Sequence, residues 1–412
     1  MKKNRAVFIV GTTGVGKTKL SIQLAHRFNG EIINADAMQM YHGLNIATAK
    51  ATVQERDGVP HHLLDEVDPR TEVTVHDFHK RAPLRHIADL NEQGKLPIVV
   101  GGTHYYIQSL IWDSLLDEGE RSPEIPTDDL DAKSTEELYA MLQRVDPEPQ
   151  QHPHQRKRIL SDLRLYNQTG VAPSQLRQEH NARQSKEERL DNVVIWLSCQ
   201  PEVLAARLDK RVDGMLAAGL LAENTAFVQR NIEGSDIGRG VWQAIGLKEF
   251  MPLYLDAAGR YNHRTAVDAE SAEVQEMVAR VKVDTQQYAK RQITWIRNRL
   301  LARVQHLIQL DTSQLDRWDD VVLNPAVNVV EHLMAGTLPA VKVNHAFWEQ
   351  QSESRNKKFV CDVCKKVIMG EEQWHDHLQG RVHKRHVEGL KKKKAAEAYF
   401  ASKEKEKESP LS

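Results

Sequence analysis

An unbroken apolar run, Ala6-Val-Phe-Ile-Val10, leads directly into Gly11-Thr12-Thr13-Gly14-Val15-Gly16-Lys17-Thr18, and an amphipathic pattern follows from about Lys17 to Phe28. That order leaves few options. The run reads as a buried parallel strand, the glycines as a tight turn, and the rest as a helix whose first amides are unpaired. Converging amides at a helix N-terminus bind a diphosphate; Lys17 adds a point charge and Thr18 a hydroxyl suited to Mg²⁺. The motif by itself does not say which diphosphate is held.

Further short apolar runs, Glu31-Ile-Ile33, Leu96-Pro-Ile-Val-Val100 and Val193-Val-Ile-Trp-Leu197, alternate with helical patterns. The alternation predicts an α/β core with a parallel sheet. Between the last two runs, residues 111–189 turn helical. Ser134-Thr-Glu-Glu137 is a capping box ahead of Leu138, Met141, Leu142 and Val145 on one face, and a second helix carries Ile159, Leu160 and Leu163 and ends near Gly170. The expected order is therefore a first part of the core over 1–110, a helical insertion over 111–189, and a second part of the core over 190–310. A polar linker over 311–350, a cysteine-bearing segment over 351–388 and a charged tail over 389–412 complete it.

With 40% hydrophobic residues in 412, one large core is easily filled, and no run approaches a membrane span. No signal peptide pattern follows Met1, so the expected address is cytoplasmic, with nucleus or mitochondrion as additional compartments. Only three cysteines occur, which argues against a disulfide framework and for metal binding at Cys361-Asp-Val-Cys364. With His377 and His383 they give the spacing of a two-cysteine, two-histidine Zn²⁺ site, His375 and His386 being nearby alternatives. The formal net charge is only −1, but it is unevenly spread. Residues 113–131 are acidic, while 280–303 and 381–394, including Lys391-Lys392-Lys393-Lys394, are basic and are the candidate polyanion surfaces. From Tyr288 to Arg299, Tyr288 and Trp295 interleave with Lys290, Arg291, Arg297 and Arg299. Such a composition suits phosphate contact with occasional base stacking, and equally a helix with one apolar and one solvated basic face.

Two more residues stand out on local grounds. An ordinary nucleotide hydrolase has an apolar strand ending in an aspartate that holds the metal, but Leu96–Val100 runs into Gly101-Gly102-Thr103. The nearest acid is Asp36, after the second strand, within Asp36-Ala37-Met38-Gln39-Met-Tyr41. Arg211 shares a helical stripe with Leu204, Leu208 and Met215; such a cation needs an anionic partner or a route to solvent. Composition and spacing leave three readings: a group transferase, a P-loop kinase of a nucleotide or nucleic acid end, and a non-catalytic RNA-binding nucleotide switch.

Together these segments resemble the tRNA dimethylallyltransferase family, in the eukaryotic form with a C-terminal zinc finger. The resemblance rests on the P-loop, Asp36–Tyr41, Val59-Pro-His-His62, Ile98-Val-Val-Gly-Gly-Thr-His-Tyr-Tyr106, Arg207-Leu-Asp-Lys-Arg211, Val241-Trp-Gln-Ala-Ile-Gly246 and Tyr288-Ala-Lys-Arg-Gln-Ile-Thr-Trp295. It implies that the cradle formed by Gly11 to Thr18 holds dimethylallyl diphosphate, transferred to N6 of the adenosine at position 37 beside the anticodon of tRNA. It implies Asp36 as general base; Thr13, Lys17 and Arg211 on the diphosphate; Asp36, Ala37, Met38, Gln39 and Thr103 facing the tRNA; Thr103 near the adenosine. Mg²⁺, a structural zinc and a monomer acting on the anticodon stem-loop complete the expectation. Two departures are local: Ala37 where the family usually has Ser, and His152-Pro-His-Gln155 where it usually has His-Pro-Asn-Asp.

Overall fold

The computed structural model describes residues 3–113, 130, 132–147, 149, 151–183, 187–257, 259–263, 267–301, 303–338, 358–364, 366–369 and 371–390. The chain divides into two compact units, one of residues 1–296 and 303–341, the other of 297–302 and 342–412. Most of the expected acidic stretch, the Lys391–Lys394 run and the tail beyond it lie outside the described residues.

The first unit is built on six parallel strands: β1 (Arg5–Gly11), β2 (Gly30–Asn34), β3 (His61–His62), β4 (Leu96–Val100), β5 (Asp191–Ser198) and β6 (Leu307–Asp311). Their spatial order is β3-β2-β4-β1-β5-β6. Parallel strands covered on both faces must be apolar on both, and Ala6 to Val10 are each 0% exposed. From β1 the chain moves to one side, to β2 and β3, then returns to β4 and crosses to β5 and β6 on the other. The loops at the carboxyl ends therefore part around β1 and β4, where ligands of such sheets bind.

Register decides what meets there. Ile9 and Asn34 both pair with Val100, so Gly11, Asp36 and Gly102 each lie two residues beyond one rung of the sheet. Residues distant in sequence thus arrive at one level of one edge.

Helices α1 (Lys17–Phe28), α2 (Val53–Arg56), α3 (Val75–Lys80), α4 (Pro83–Glu92) and α5 (His104–Ile111) precede the insertion. The insertion contains α6 (Thr135–Val145), α7 (Arg156–Thr169) and α8 (Pro173–Arg183). Ser134 and Glu137 close a reciprocal capping box on α6, and α7 stops at Gly170, which takes φ 68°. Leu130, Leu138, Leu142, Ile159, Leu160 and Leu163 bury one another in a cluster of their own, apart from the core of the sheet. The helical character is as expected from the sequence, with α8 an addition.

After β5 come α9 (Pro201–Ala217), α10 (Leu220–Asn231), α11 (Ala272–Trp295) and α12 (Asn324–Ala335). Residues 307–311 add an edge strand to the sheet, whose mixed burial, unlike that of β1, leaves no two-sided apolar run to read. One expectation is corrected here. The polar linker expected over 311–350 is, through Leu338, part of the core; 339–350 lie outside the described residues. Trp318, Val322, Ala326, Val329, Val330 and Leu333 recur at helical spacing and pack with Leu20 and Leu24 of α1, while Asp316, Arg317, Asp319 and Asp320 on either side of Trp318 face outward. Among the described residues no helix is long and apolar enough to cross a membrane.

In the second unit, β7 (Lys358–Cys361) and β8 (Lys366–Met369) form an antiparallel hairpin followed by α13 (Glu371–Gln379) and a helical stretch over 381–390. Its apolar content is small: the Phe359 and Trp374 rings stack at 5.2 Å.

Candidate active site and metal centre

The P-loop turns as its glycines require. Gly14 and Gly16 take φ of 80° and 88°, and a Cβ on Gly11 would sit 2.5 Å from the Leu197 carbonyl oxygen. Thr12 and Val15 are buried, so they serve the cradle through backbone, whereas Thr13, Lys17 and Thr18 line the cavity. Gly16 is roofed by the Trp318 indole, whose Nε1 donates to Gln23 at 2.8 Å; a Cβ on Gly16 would meet that ring at 2.8 Å. Lys17 Nζ donates to the carbonyls of Gly11 at 3.2 Å and Thr12 at 2.8 Å. Burial lowers its pKa to about 8, against the pull of Asp36 and with help from Arg211.

Asp36 is held by its neighbours on every side. Asn34 accepts from Asp36 N at 3.1 Å through Oδ1 and donates through Nδ2 to the carbonyls of Asp36 at 3.1 Å and Leu63 at 2.9 Å. Asp36 Oδ1 accepts from Met38 N at 3.1 Å, an Asx turn that starts the 3₁₀ turn Met38–Met40. Burial raises the Asp36 pKa, while Lys17 and the amides of Met38, Gln39 and Gly102 restrain the rise. The result is a carboxylate made more basic yet still stabilised as an anion, which is what a general base needs.

Thr103 Oγ1 accepts from Ala37 N at 2.9 Å, tying the Gly-Gly-Thr loop to the aspartate turn. Position 37 thus works through its amide, so the Ala in place of the usual Ser leaves this bond intact. Gly101 crosses Ala35 so closely that a Cβ would fall 2.2 Å from its carbonyl. Gln39 spends its amide nitrogen inside the fold, on the carbonyls of Thr48 at 3.0 Å and Ala49 at 3.4 Å.

From α9, Arg211 joins Thr13, Lys17, Thr18, Asp36 and Thr103 around one cavity of about 1240 Å³. That volume exceeds the usual range for one small ligand and accommodates a diphosphate beside a base. Burial lowers the Arg211 pKa, opposed by Asp36 and Glu55. Arg211 makes no hydrogen bond or ion pair of its own with another described residue, and with Lys17, Lys50, Arg56, Lys248 and Arg291 it gives the cavity lining an excess of cations over Asp36, Glu55 and Asp65. An anionic ligand would balance them.

The residues missed by sequence reasoning are those that hold the others. His104 Nε2 accepts from Gly11 N at 3.4 Å; burial, aided by Lys17, lowers its pKa to about 3 and keeps it neutral. Gln292 accepts from Thr13 N at 3.1 Å and donates to the Gly102 carbonyl at 3.0 Å. Tyr288, one turn earlier on α11, donates to the same carbonyl at 3.3 Å. The sequence signal was only their place in two of the segments that carry the family resemblance, His104 within Ile98–Tyr106 and Gln292 within Tyr288–Trp295. Of the two aromatic residues in the basic stretch, Tyr288 lines the cavity and Trp295 packs edge-on against Tyr105 at 5.8 Å. Lys290 and Arg291 remain exposed, as do Arg297 and Arg299.

In the finger, Cys361, Cys364, His377 and His383 bring their ligand atoms within 4.8 Å of one another. Both sulfurs lie 3.5 Å from His383 Nδ1, close to the edge of a tetrahedron about a zinc with its usual bond lengths. His377 Nε2 is shielded from solvent and has no hydrogen-bond partner among the described residues, as a nitrogen reserved for a metal would be. The donor set fits Zn²⁺. Of the alternatives, His375 pairs with Gln379 at 2.9 Å, while His386 Nδ1 comes within 3.6 Å of Cys364.

Comparison with known proteins agrees with this geometry. The family model described as IPP transferase matches residues 39–299, and a zinc-finger model of C2H2 type matches 359–383. A tRNA dimethylallyltransferase of Mus musculus is 36% identical over 415 residues, covering 94% of this chain and 86% of its relative. That of Saccharomyces cerevisiae (strain ATCC 204508 / S288c) is 34% identical, covering 92% and 91%. Among solved structures, a eukaryotic dimethylallyltransferase acting on tRNA superposes with a TM-score of 0.77 at 32% identity, covering 96% of this chain and 100% of its own. The chain therefore belongs to the IPP transferase family of tRNA dimethylallyltransferases, in the form that carries a C-terminal zinc finger.

Proposed function

We propose that this protein transfers the dimethylallyl group of dimethylallyl diphosphate to N6 of the adenosine beside the anticodon of tRNA. One observation carries the reading: the register that puts the P-loop, Asp36 and the Gly-Gly-Thr loop at one level, with Arg211 lining the same cavity and no acid at the end of β4. A diphosphate leaving group in the cradle faces a base across the space for an acceptor.

In this scheme N6 attacks C1 of the prenyl group, the C1–O bond breaks, and the bonding pair leaves with the diphosphate. The N6 proton passes to Asp36. An exocyclic amine conjugated to a purine is a weak nucleophile, so a base placed for that proton as the C–N bond forms contributes about 10²–10⁴-fold. The amides of the P-loop, Lys17 and Arg211 stabilise the charge gathering on the diphosphate. Thr18 offers one hydroxyl, enough for a Mg²⁺ that keeps its waters and phosphate oxygens; bound there, the ion would neutralise the leaving group. Reaching the cavity requires the adenine to leave its stack, at about a few kcal/mol in a loop already partly unpaired.

The active unit in this reading is a single chain. A tRNA substrate places its work where tRNA is handled, the cytoplasm foremost. The finger supplies affinity, with the exposed Arg381, Lys384 and Arg385 meeting phosphates.

The test is to incubate the protein with dimethylallyl diphosphate and tRNA and detect N6-prenyladenosine by mass spectrometry. Product without ATP is expected. Asp36→Asn should lower kcat by about 10² or more while tRNA binding stays near the parent value. An absolute requirement for hydrolysable ATP would instead support the kinase, and near-normal turnover by Asp36→Asn would return Asp36 to a turn residue.

A further inference from the structure

The side chain of Gln292 is 4% exposed and both ends of its amide are engaged, with two loops that belong to different halves of the cavity. Its Oε1 takes the amide of Thr13 in the P-loop; its Nε2 holds the Gly102 carbonyl. Gly102 in turn lies against the Asp36 carboxylate, where its amide helps to hold the carboxyl pKa down. Gly102 can be approached from both sides because it has no side chain: a Cβ there would lie 2.8 Å from Asp36 Oδ2 and 2.8 Å from Gln292 Nε2. Tyr288, on the same face of α11, adds a second donor to the Gly102 carbonyl.

We propose that Gln292 is a positioning residue that pins the diphosphate cradle to the loop orienting the base, setting the distance between the leaving group and Asp36. This rests on the reading of Asp36 as base. Without the pin, the long bond from Gly11 N to His104 is the remaining side-chain tie between the two loops, and the Gly102 amide is held less firmly beside the carboxylate. A misplacement of about 1 Å lowers turnover by about 10²-fold. Moving the Gly102 amide away from the carboxylate raises the pKa of Asp36, since a positive amide dipole beside the charged form favours that form. The acidic limb of kcat, which needs Asp36 ionised, then moves to higher pH. Lys17 of α1, Tyr106 of α5, Arg211 of α9 and Tyr288 of α11 are the other charged or titratable groups that act on Asp36 or lie in its field; of these only Tyr288 interacts with Gln292, and its hydroxyl stays neutral through the acidic limb.

The experiment compares Gln292→Met, which keeps the length of the side chain but neither hydrogen bond, with the parent at saturating dimethylallyl diphosphate and tRNA. The expected result is kcat lowered by at least about tenfold, an acidic limb displaced upward, and KM for tRNA within about twofold of the parent. A folded variant with the parent kcat and the parent limb overturns the proposal. So does a loss of kcat with the limb unmoved, because that marks a structural filler. If Gln292→Met does not fold, Tyr288→Phe decides: it removes one hydroxyl and should cost about fivefold in kcat with a smaller displacement in the same direction. An indifferent Tyr288→Phe would then overturn it. Asp36→Asn measured alongside separates the two ideas. An active Asn variant sinks the base assignment itself, whereas an inactive one beside an indifferent Gln292→Met sinks only the pin.

Discussion

Replacing Gly101 by alanine tests the crossing on which the site depends. The added Cβ would fall 2.2 Å from both the carbon and the oxygen of the Ala35 carbonyl and 2.8 Å from its Cα, where real Cβ contacts essentially never come under 3.0 Å. All three atoms are backbone, so no side chain can swing aside. The loops after β2 and β4 must separate by about 1 Å, the scale at which misplaced catalytic groups lose about 10²-fold in rate. Two backbone bonds resist that separation, Ala35 N to Val100 O at 2.8 Å and Thr103 N to Ala35 O at 3.2 Å. Straining them and overpacking the crossing should destabilise the fold by about 2–3 kcal/mol. Thermal melting and kcat at saturating substrates read the two effects separately. Gly214→Ala is the control: it lies inside α9 with no atom within 4 Å of a built Cβ, and should gain up to about 1 kcal/mol of stability. A Gly101→Ala protein that melts with the parent and turns over within about threefold of it would refute the argument.

Because burial brings Lys17 to about 8, a bound diphosphate should raise it again, so donor binding at pH 8–9 takes up a proton and weakens as pH rises. Calorimetry in buffers of different ionisation enthalpy measures this, and binding without proton uptake would contradict it. Arg211→Lys should lower kcat as well as donor affinity, by about tenfold or more, because an ammonium cannot reproduce a planar fork of donors; a fully active, stable variant would mean that Arg211 only passes by the cavity. Cys361→Ser should release zinc and unfold the finger while the main melting transition stays, with weaker tRNA binding, a shallower salt slope and kcat within a few-fold at saturating tRNA. Normal binding with lost kcat would give the finger a part in the chemistry.

Much of this was legible in residue order. The P-loop is local chemistry: a strand, three glycines in spaced positions and a helix start lie within a few residues, so sequence alone specifies strand, turn and cradle. The cysteine and histidine spacing is local in the same way, and so is the capping box at Ser134. Asp36 was visible as an acid after a strand, and Arg211 as a cation in an apolar stripe, but neither reading said that they share a cavity. That came from register, since pairing Ile9 and Asn34 with the same residue is a property of the assembled sheet. The same holds for Trp318 over Gly16, where a stretch expected as a polar linker folds back on the phosphate loop. It holds most of all for Gln292. An amide's value lies in which two loops it spans, and those are separated from it by 279 and 190 residues along the chain. Sequence determines what each segment prefers to be; only tertiary packing decides which backbone groups are left for a distant side chain to satisfy, because a buried amide or carbonyl must find its partner wherever the fold supplies one.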